Sequence, residues 1–235
     1  MLDRLWFRNI CRENHYDVND LQIELLDKYV GYLLGWNKKI NLISRMDTEN
    51  IWLRHILSSI ALLFNYKFIP GLNMMDVGTG GGLPGIPIAI MNPNSNFMLI
   101  DSIQKKIKAV DHIIKSLGLR NVHTYCGRAE ELAKKKEFIH HYDYVIARAV
   151  SSIAEIVRWC KPFLRMTTRV RVVAEPERTF IKTGSIVLLK GGELEGEITE
   201  AKVKFNLKNL EVYPIVIHGI DTTRIFDKKI VIIQP

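Results

Sequence analysis

The fold is decided by the stretch Met74-Met75-Asp76-Val77-Gly78-Thr79-Gly80-Gly81-Gly82-Leu83-Pro84-Gly85-Ile86-Pro87. An apolar run enters it, five glycines follow within residues 78–85, and a helix-compatible run over residues 86–91 leaves it. Glycines this close together are costly unless the backbone needs positive φ or must approach a ligand closely. The arrangement predicts a loop that seats a nucleotide-like cofactor between the end of a strand and the start of a helix.

From residue 72 onward, runs of strand length alternate with amphipathic runs of helix length. The expected strands are 72–77, 97–101, 122–126, 142–147, 185–190, 210–217 and 229–233, and the expected helices are 86–91, 104–117, 129–136, 152–164 and 193–205. Such alternation predicts an α/β fold, a Rossmann-like, mostly parallel seven-stranded sheet with helices on both faces. No helix separates the last two strands, so they are expected to pair as a hairpin with an antiparallel last strand.

Residues 1–70 are expected to form a helical appendage to a core of residues 71–235. Apolar residues recur with the 3.6-residue period of a helix over residues 21–34, and Asn19 or Asp17 could cap it. A second helix is expected from about residue 47 to residue 64, ended by the Pro70-Gly71 pair. The basic stretch 165–183 fits neither element type, and its pattern leaves open a strand-like excursion or a basic loop.

The composition indicates a globular protein and restricts its compartment and its binding partners. The 235 residues are 47% hydrophobic and 25% charged, as in ordinary globular proteins. The formal net charge of +8 favours a polyanionic partner, although a basic surplus can also serve solubility alone. Cys11, Cys126 and Cys160 are widely spaced, which indicates reduced thiols and no metal site. No apolar run reaches the ~18 residues of a membrane span. We therefore expect a cytoplasmic monomer with no membrane partner.

The glycine loop is compatible with two cofactors. Gly80, Gly82 and Gly85 have the dinucleotide spacing, and Asp101 lies about 20 residues on, where a ribose-binding acid is expected. An NAD-dependent oxidoreductase is therefore one hypothesis. Asp76 before the glycines and two prolines near the helix start favour S-adenosylmethionine, which carries two cationic groups and no pyrophosphate. A third hypothesis is a cofactor-sensing RNA-binding protein without turnover.

Three predicted strand ends add candidate cofactor contacts. Asp101 ends the second strand of the core, where it could bind ribose hydroxyls or cap the next helix. Ala129 and Glu130 follow the third strand beside the expected crevice, although Glu130 also suits the first turn of a helix. Arg148 ends the fourth strand, where the alternative is a surface salt bridge.

In this order, the motifs resemble the RsmG (GidB) family of bacterial ribosomal small-subunit RNA guanine-N7 methyltransferases. The resemblance runs from about residue 36 to the end and rests on residues 36–42, 54–57, 76–87, 99–102, 127–130, 147–149 and 189–191. It implies a class I methyltransferase core behind an N-terminal helical cap, with S-adenosylmethionine as cofactor. It also implies cofactor contacts at Gly78, Leu83, Ala129, Glu130 and Arg148, to which the loop reasoning adds Asp76, Gly80 and Asp101.

The implied substrate is small-subunit ribosomal RNA, either free or within the 30S subunit. No catalytic residue is predicted, because N-7 of guanine has an in-plane lone pair and no proton for a base to remove. The family usually has an Asp where this chain has Ser58, and His55 on an apolar helical face is typical of a core histidine. The residues expected to bind RNA phosphates are Lys38, Lys39, Arg45, Arg54, Lys105 and Lys106.

Overall fold

The structure, a computed structural model, describes residues 4–165, 179–220 and 228–235. The helices are α1 (Arg4–Glu13), α2 (Asp20–Asn37), α3 (Ser58–Ile60), α4 (Leu62–Asn65), α5 (Gly85–Met91), α6 (Gln104–Leu117), α7 (Ala129–Leu132), α8 (Ile153–Cys160) and α9 (Glu195–Phe205). The strands are β1 (Tyr66–Lys67), β2 (Asn73–Val77), β3 (Asn96–Asp101), β4 (Val122–Cys126), β5 (Tyr144–Arg148), β6 (Thr179–Phe180), β7 (Ser185–Gly191), β8 (Asn209–Pro214) and β9 (Lys228–Gln234).

Seven of these strands form one sheet in the order β4-β3-β2-β5-β7-β9-β8. The pairs from β4 to β7 are parallel, and β9 is antiparallel to both β7 and β8. This confirms the predicted mostly parallel sheet with an antiparallel last strand. The chain moves outward from β2 through β3 to β4 and then crosses to β5 on the other side of β2. Ligands in such sheets bind at the carboxyl ends of the strands next to this reversal.

Most core elements lie within two residues of their predicted bounds, and the exceptions are α7, α8 and β8, which ends at Pro214 and not at the predicted residue 217. The α8 helix ends at Cys160, well short of residue 164, and a 3₁₀ turn follows at Lys161–Phe163. Pro162 in this turn has no backbone N–H with which to continue the helix. The α7 helix ends at Leu132 and does not reach residue 136. Residues 166–178 of the basic stretch lie outside the described residues, and β6 after them pairs in parallel with β1.

The N-terminal helices pack onto the same face of the sheet as α5 and α6. Asn19 caps α2, and its side chain and that of Gln22 bond each other's backbone N–H in a capping box. The predicted second helix is irregular, with a 3₁₀ turn at Arg45–Asp47, a π-helical segment at Trp52–Leu57, and then α3 and α4. One buried apolar cluster joins residues of all these helices. The division at residue 70 stays a prediction. In the described ranges, no helix is both long and apolar enough to cross a membrane.

Candidate cofactor site

The glycine loop follows β2 and needs glycine for two different reasons. Gly78, Gly80 and Gly82 have φ of +70°, +58° and +93°, a region that side chains disfavour. A Cβ on Gly85 would lie 2.6 Å from Asp76 Oδ2, so this position requires glycine for close approach. A Cβ on Gly80 would make only ordinary contacts, the nearest being Leu42 O at 3.9 Å, so this position favours glycine for its positive φ and not for lack of space.

Asp76 lies beneath the loop and is fully buried. Its Oδ2 accepts hydrogen bonds from Thr79 Oγ1 at 2.6 Å and from the Gly85 N–H at 3.0 Å. Its Oδ1 has no partner among the residues that the structure describes. Burial raises the Asp76 pKa to about 6, although the bonds from Thr79 and Gly85 oppose that shift. Asp76 therefore holds the loop together from below, and its contact with a cofactor stays a prediction.

A cleft of about 320 Å³ opens beside the loop at the carboxyl ends of the strands. Its lining includes the predicted residues Gly78, Asp101, Ala129 and Glu130, together with Lys106, Arg128, Val150 and Trp159. Asp101 accepts the Gly80 N–H at 3.0 Å through Oδ2 and the Ile103 N–H at 2.9 Å through Oδ1. One carboxylate thus joins the glycine loop to the turn before α6.

Sequence reasoning missed Trp159 because α8 presents only the periodicity of a buried helix. Four of the predicted contacts do not line this cleft: Asp76 lies buried beneath the loop, and Gly80 lies in the loop outside the lining. Leu83 is buried in the core, with 3% of its surface exposed, and Arg148 turns toward the N-terminal helices. No cluster of three or more His, Cys, Asp or Glu side chains arranged for a metal ion occurs in the described part of the chain.

Arg148 binds two side chains of the irregular N-terminal helix. Its Nη2 lies 3.0 Å from His55 Nδ1, and its Nη1 donates to Ser58 Oγ at 3.3 Å. The next residue, Ala149, has φ of +52°, and Val150 after it lines the cleft and packs against Gly78. At this strand end, Arg148 therefore contacts the N-terminal helix, whereas Val150 contacts the glycine loop. His55 is buried, as expected, but it has a polar partner that its apolar helical face does not indicate.

The basic residues expected to bind RNA fall into separate groups. Lys38 and Arg45 line a second cavity of about 600 Å³, next to the end of α2. Lys39 Nζ lies 5.3 Å from the ring centroid of Trp36. Lys105 is exposed, whereas Lys106 lines the cofactor cleft. Arg54 Nη1 donates to Asp47 Oδ1 at 3.0 Å, so its charge is partly neutralised.

Comparisons with known proteins agree on one family. The sequence model of GidB, rRNA small subunit methyltransferase G, matches residues 22–225. Ribosomal RNA small subunit methyltransferase G of Christiangramia forsetii is 40% identical over 183 residues, covering 78% of this chain and 79% of the relative. The protein of the same name from Porphyromonas gingivalis is 37% identical over 181 residues, covering 77% and 75%. The chain belongs to the rRNA small subunit methyltransferase G family. The glycine loop and the strand ends around the cleft therefore lie within the part of the chain that matches this family.

Solved structures support the fold of this family member at low sequence identity. Fibrillarin in its complex with Nop5p superposes with a TM-score of 0.54 at 12% identity, covering 77% of this chain and 81% of the other. A SAM-dependent methyltransferase from Aquifex aeolicus has a TM-score of 0.51 at 14% identity, covering 80% and 93%. At these identities the likeness establishes the Rossmann-like fold alone.

Proposed function

We propose that the chain transfers a methyl group from S-adenosylmethionine to N-7 of a guanine in small-subunit ribosomal RNA. The observation that carries this proposal is the match of the methyltransferase G family to residues 22–225, which include the glycine loop, the cleft and Arg148. The relatives described above are named as methyltransferases of small-subunit ribosomal RNA.

The residues around the cleft fit this cofactor. Gly78 lines the cleft without a side chain, so a ligand could approach the loop backbone there. Asp101 is placed to accept ribose hydroxyls, since each carboxylate oxygen can accept more than the one bond it already has. Ala129 and Glu130 also line the cleft, and the base of the nucleoside would lie beside them. We assign cofactor contacts to Gly78, Leu83 and Arg148 from the family resemblance.

The start of α5 argues against a dinucleotide. The N–H of Gly85 donates to Asp76, and the N–H of Ile86 donates to the Gly82 carbonyl. Pro84 and Pro87 have no N–H at all. The first turn of this seven-residue helix therefore has no free donors for the pyrophosphate that NAD would place there.

When bound, S-adenosylmethionine supplies an electrophilic methyl group. The protein residues need only orient the guanine and exclude water, because N-7 is a nucleophile without a proton. His55 is consistent with this: burial and the neighbouring Arg148 lower its pKa to about 4, so it is neutral near pH 7, and its Nδ1 atom contacts Arg148. The substrate RNA would contact the positive residues Lys38, Lys39, Arg45, Arg54, Lys105 and Lys106.

The proposed substrate also determines where the chain would act. Small-subunit RNA, free or assembled in the 30S subunit, is a cytoplasmic molecule in bacteria, and we propose that the chain acts there as a monomer.

A labelled-methyl transfer assay tests the proposal. Purified protein and S-adenosylmethionine should label small-subunit RNA or 30S subunits, and mass spectrometry should place the methyl group on N-7 of guanine. Cofactor binding without transfer to either substrate would favour an RNA-binding sensor. Thermal stabilisation by NADH, with none by S-adenosylhomocysteine, would instead indicate an oxidoreductase.

A further inference from the structure

The geometry points to His55 as a positioning residue, which holds the Arg148 guanidinium and connects it, through Asp47, to the Arg45–Asp47 turn. This inference rests on the proposed function, because Arg148 is there assigned to the cofactor. His55 itself lies outside the lining of the cleft and acts only through Arg148.

The first connection joins His55 to Arg148. A guanidinium has only donors, so the His55 Nδ1 atom, 3.0 Å from Arg148 Nη2, must be the unprotonated acceptor. The ring proton then lies on Nε2. Ser58 Oγ accepts from the other terminal nitrogen of Arg148 at 3.3 Å, and Ser58 is fully buried. Two neutral acceptors from one irregular helix thus determine the orientation of the guanidinium.

The second connection joins His55 to the 3₁₀ turn. The Nε2 atom, which carries the proton, lies 3.4 Å from Asp47 Oδ2, a close electrostatic contact without hydrogen-bond geometry, and Nε2 has no other partner among the described residues. Asp47 Oδ1 accepts from Arg54 Nη1 at 3.0 Å. Asp47 ends the same turn that begins with Arg45, and Arg45 lines the basic cavity together with Lys38. The turn therefore carries a residue proposed to bind RNA at one end and the partner of His55 at the other.

The π-helical segment explains how these side chains converge. His55 lies within Trp52–Leu57, and Ser58 follows it directly. The hydroxyl of Ser58 donates to the Arg54 carbonyl at 2.6 Å, and the hydroxyl of Ser59 donates to the His55 carbonyl at 2.6 Å. These bonds add a hydroxyl donor to two carbonyls of the π-helical segment. They fix His55 and Ser58 on the side of the helix that faces Arg148.

The charges around the cluster are mostly positive. Lys228 Nζ lies 3.4 Å from Ser58 Oγ, and its positive charge, like that of Arg148, opposes protonation of His55. Asp47 is the acidic neighbour that favours the protonated form. Burial lowers the His55 pKa more than Asp47 raises it, so the ring stays neutral between the Arg148 cation and the Asp47 anion.

A coupling between the two ligands follows from this chain of contacts. RNA that moves the Arg45–Asp47 turn would shift His55 and thereby Arg148, so RNA should change cofactor affinity. By linkage, the cofactor must change RNA affinity by the same factor. The expected size is about 5-fold or more, the lower end of typical coupling between two binding sites.

The test measures binding of S-adenosylhomocysteine by calorimetry, with and without small-subunit RNA, in the wild-type protein and three variants. His55→Ala removes both connections and should lower affinity about 10-fold and abolish the effect of RNA. His55→Asn places an amide oxygen near the Nδ1 position, so it should keep affinity within about threefold of wild type but lose the coupling. Asp47→Ala should also keep the affinity and lose the coupling.

Asp111→Ala is the matched control, because it removes an exposed ion pair with Lys115 on α6 and should change neither quantity. If His55→Ala does not fold, the Asn and Asp47 variants still decide the question. Wild-type affinity in His55→Ala, or wild-type coupling in both other variants, would overturn the inference. Failure of the wild-type protein to bind S-adenosylhomocysteine or to methylate RNA would instead contradict the proposed function.

Discussion

At the scale of single residues, the loop depends on one buried carboxylate and one glycine. Asp76 Oδ2 accepts the hydroxyl of Thr79 and the N–H of Gly85, which lie on either side of the glycine-rich turn. Gly85 has no side chain to separate its backbone from that carboxylate. The loop conformation is therefore set from below by contacts that no ligand needs to touch.

Gly85→Ala should lower the free energy of unfolding by about 1–3 kcal/mol, the usual cost of forcing an extra group into a packed site. Its Cβ would lie 2.6 Å from Asp76 Oδ2 and 3.1 Å from Leu99 Cδ1. The matched control is Gly31→Ala in α2, where a Cβ meets nothing within 4 Å. That change should stabilise the protein by about 0.5–1 kcal/mol. Urea denaturation measures both, and equal effects in the two variants would contradict the role given to Gly85.

Asp76 and His55 should give opposite pH dependences of stability. Burial raises the Asp76 pKa from 3.8 to about 6, so its contribution to the free energy of unfolding falls by up to about 3 kcal/mol as pH rises through that window. Burial lowers the His55 pKa from 6.5 to about 4, so its contribution rises over almost the same window. Asp76→Asn removes the first contribution alone, and stability should then rise more steeply with pH than in the wild type.

Urea denaturation between about pH 4 and pH 7 measures this difference. Since other carboxylates titrate in both proteins, only the divergence of the two curves is informative. Asp111→Asn, at an exposed ion pair, serves as the control and should run parallel to the wild type. Parallel curves for Asp76→Asn would show that the Asp76 pKa is not raised.

At the scale of elements, the helices before the core differ in whether their own sequence contains a capping signal. The start of α2 carries its own signal, because Asn19 and Gln22 form a complete capping box. The helical region after the Arg45–Asp47 turn has no side-chain cap on its π-helical segment or on α3 and α4. Its serine hydroxyls bond its own carbonyls, and its apolar residues pack against the core. The conformation of this helical region therefore depends on the core surface against which it packs.

Asn19→Ala should lower the free energy of unfolding by about 1 kcal/mol, because it leaves the Gln22 N–H without its acceptor. Asn19→Asp keeps an acceptor at the cap and should remain close to the wild type. Thermal or urea denaturation of the two variants side by side provides the measurement. A loss of equal size in both would mean that the amide group of Asn19, and not its capping oxygen, is what matters.

At the scale of the whole molecule, the sheet separates two buried clusters. One lies between the sheet and the N-terminal helices with α5 and α6, and the other lies on the face covered by α7, α8 and α9. The segment between Lys38 and Arg45, both of which line the basic cavity near α2, also reaches the glycine loop, since Leu42 packs against Gly81. RNA and cofactor are therefore expected to approach the same end.

Replacing Lys38 and Arg45 together by glutamine should weaken binding of small-subunit RNA and make it less dependent on salt. The slope of log affinity against log salt should become shallower by about one for each RNA phosphate that the variant no longer neutralises. Fluorescence anisotropy over a salt series measures it, with Lys134 and Lys136 changed to glutamine as a control on an exposed stretch of the surface. An equal weakening in both double variants would indicate nonspecific charge attraction and no defined RNA surface at the cavity.

Much of the core could be predicted because its signals are local. The helix over residues 104–117 and the strand over residues 122–126 lie within the predicted bounds, since periodicity and turn residues specify each of them. Gly78, Asp101, Ala129 and Glu130, predicted as cofactor contacts, all line one cleft, because the ends of parallel strands meet at one edge. Trp159 and the neighbours of Arg148 gave no such local signal.

By itself, the sequence determined the Rossmann-like sheet, the cofactor loop and the family, because glycine spacing, strand–helix alternation and motif order are properties of neighbouring residues. Only the tertiary structure decided that Asp76 faces the underside of the loop and that Arg148 bonds His55, 93 positions away in the chain. The reason is physical: burial and long-range hydrogen bonds arise from packing between elements, and no local pattern encodes which side chains that packing will bring together.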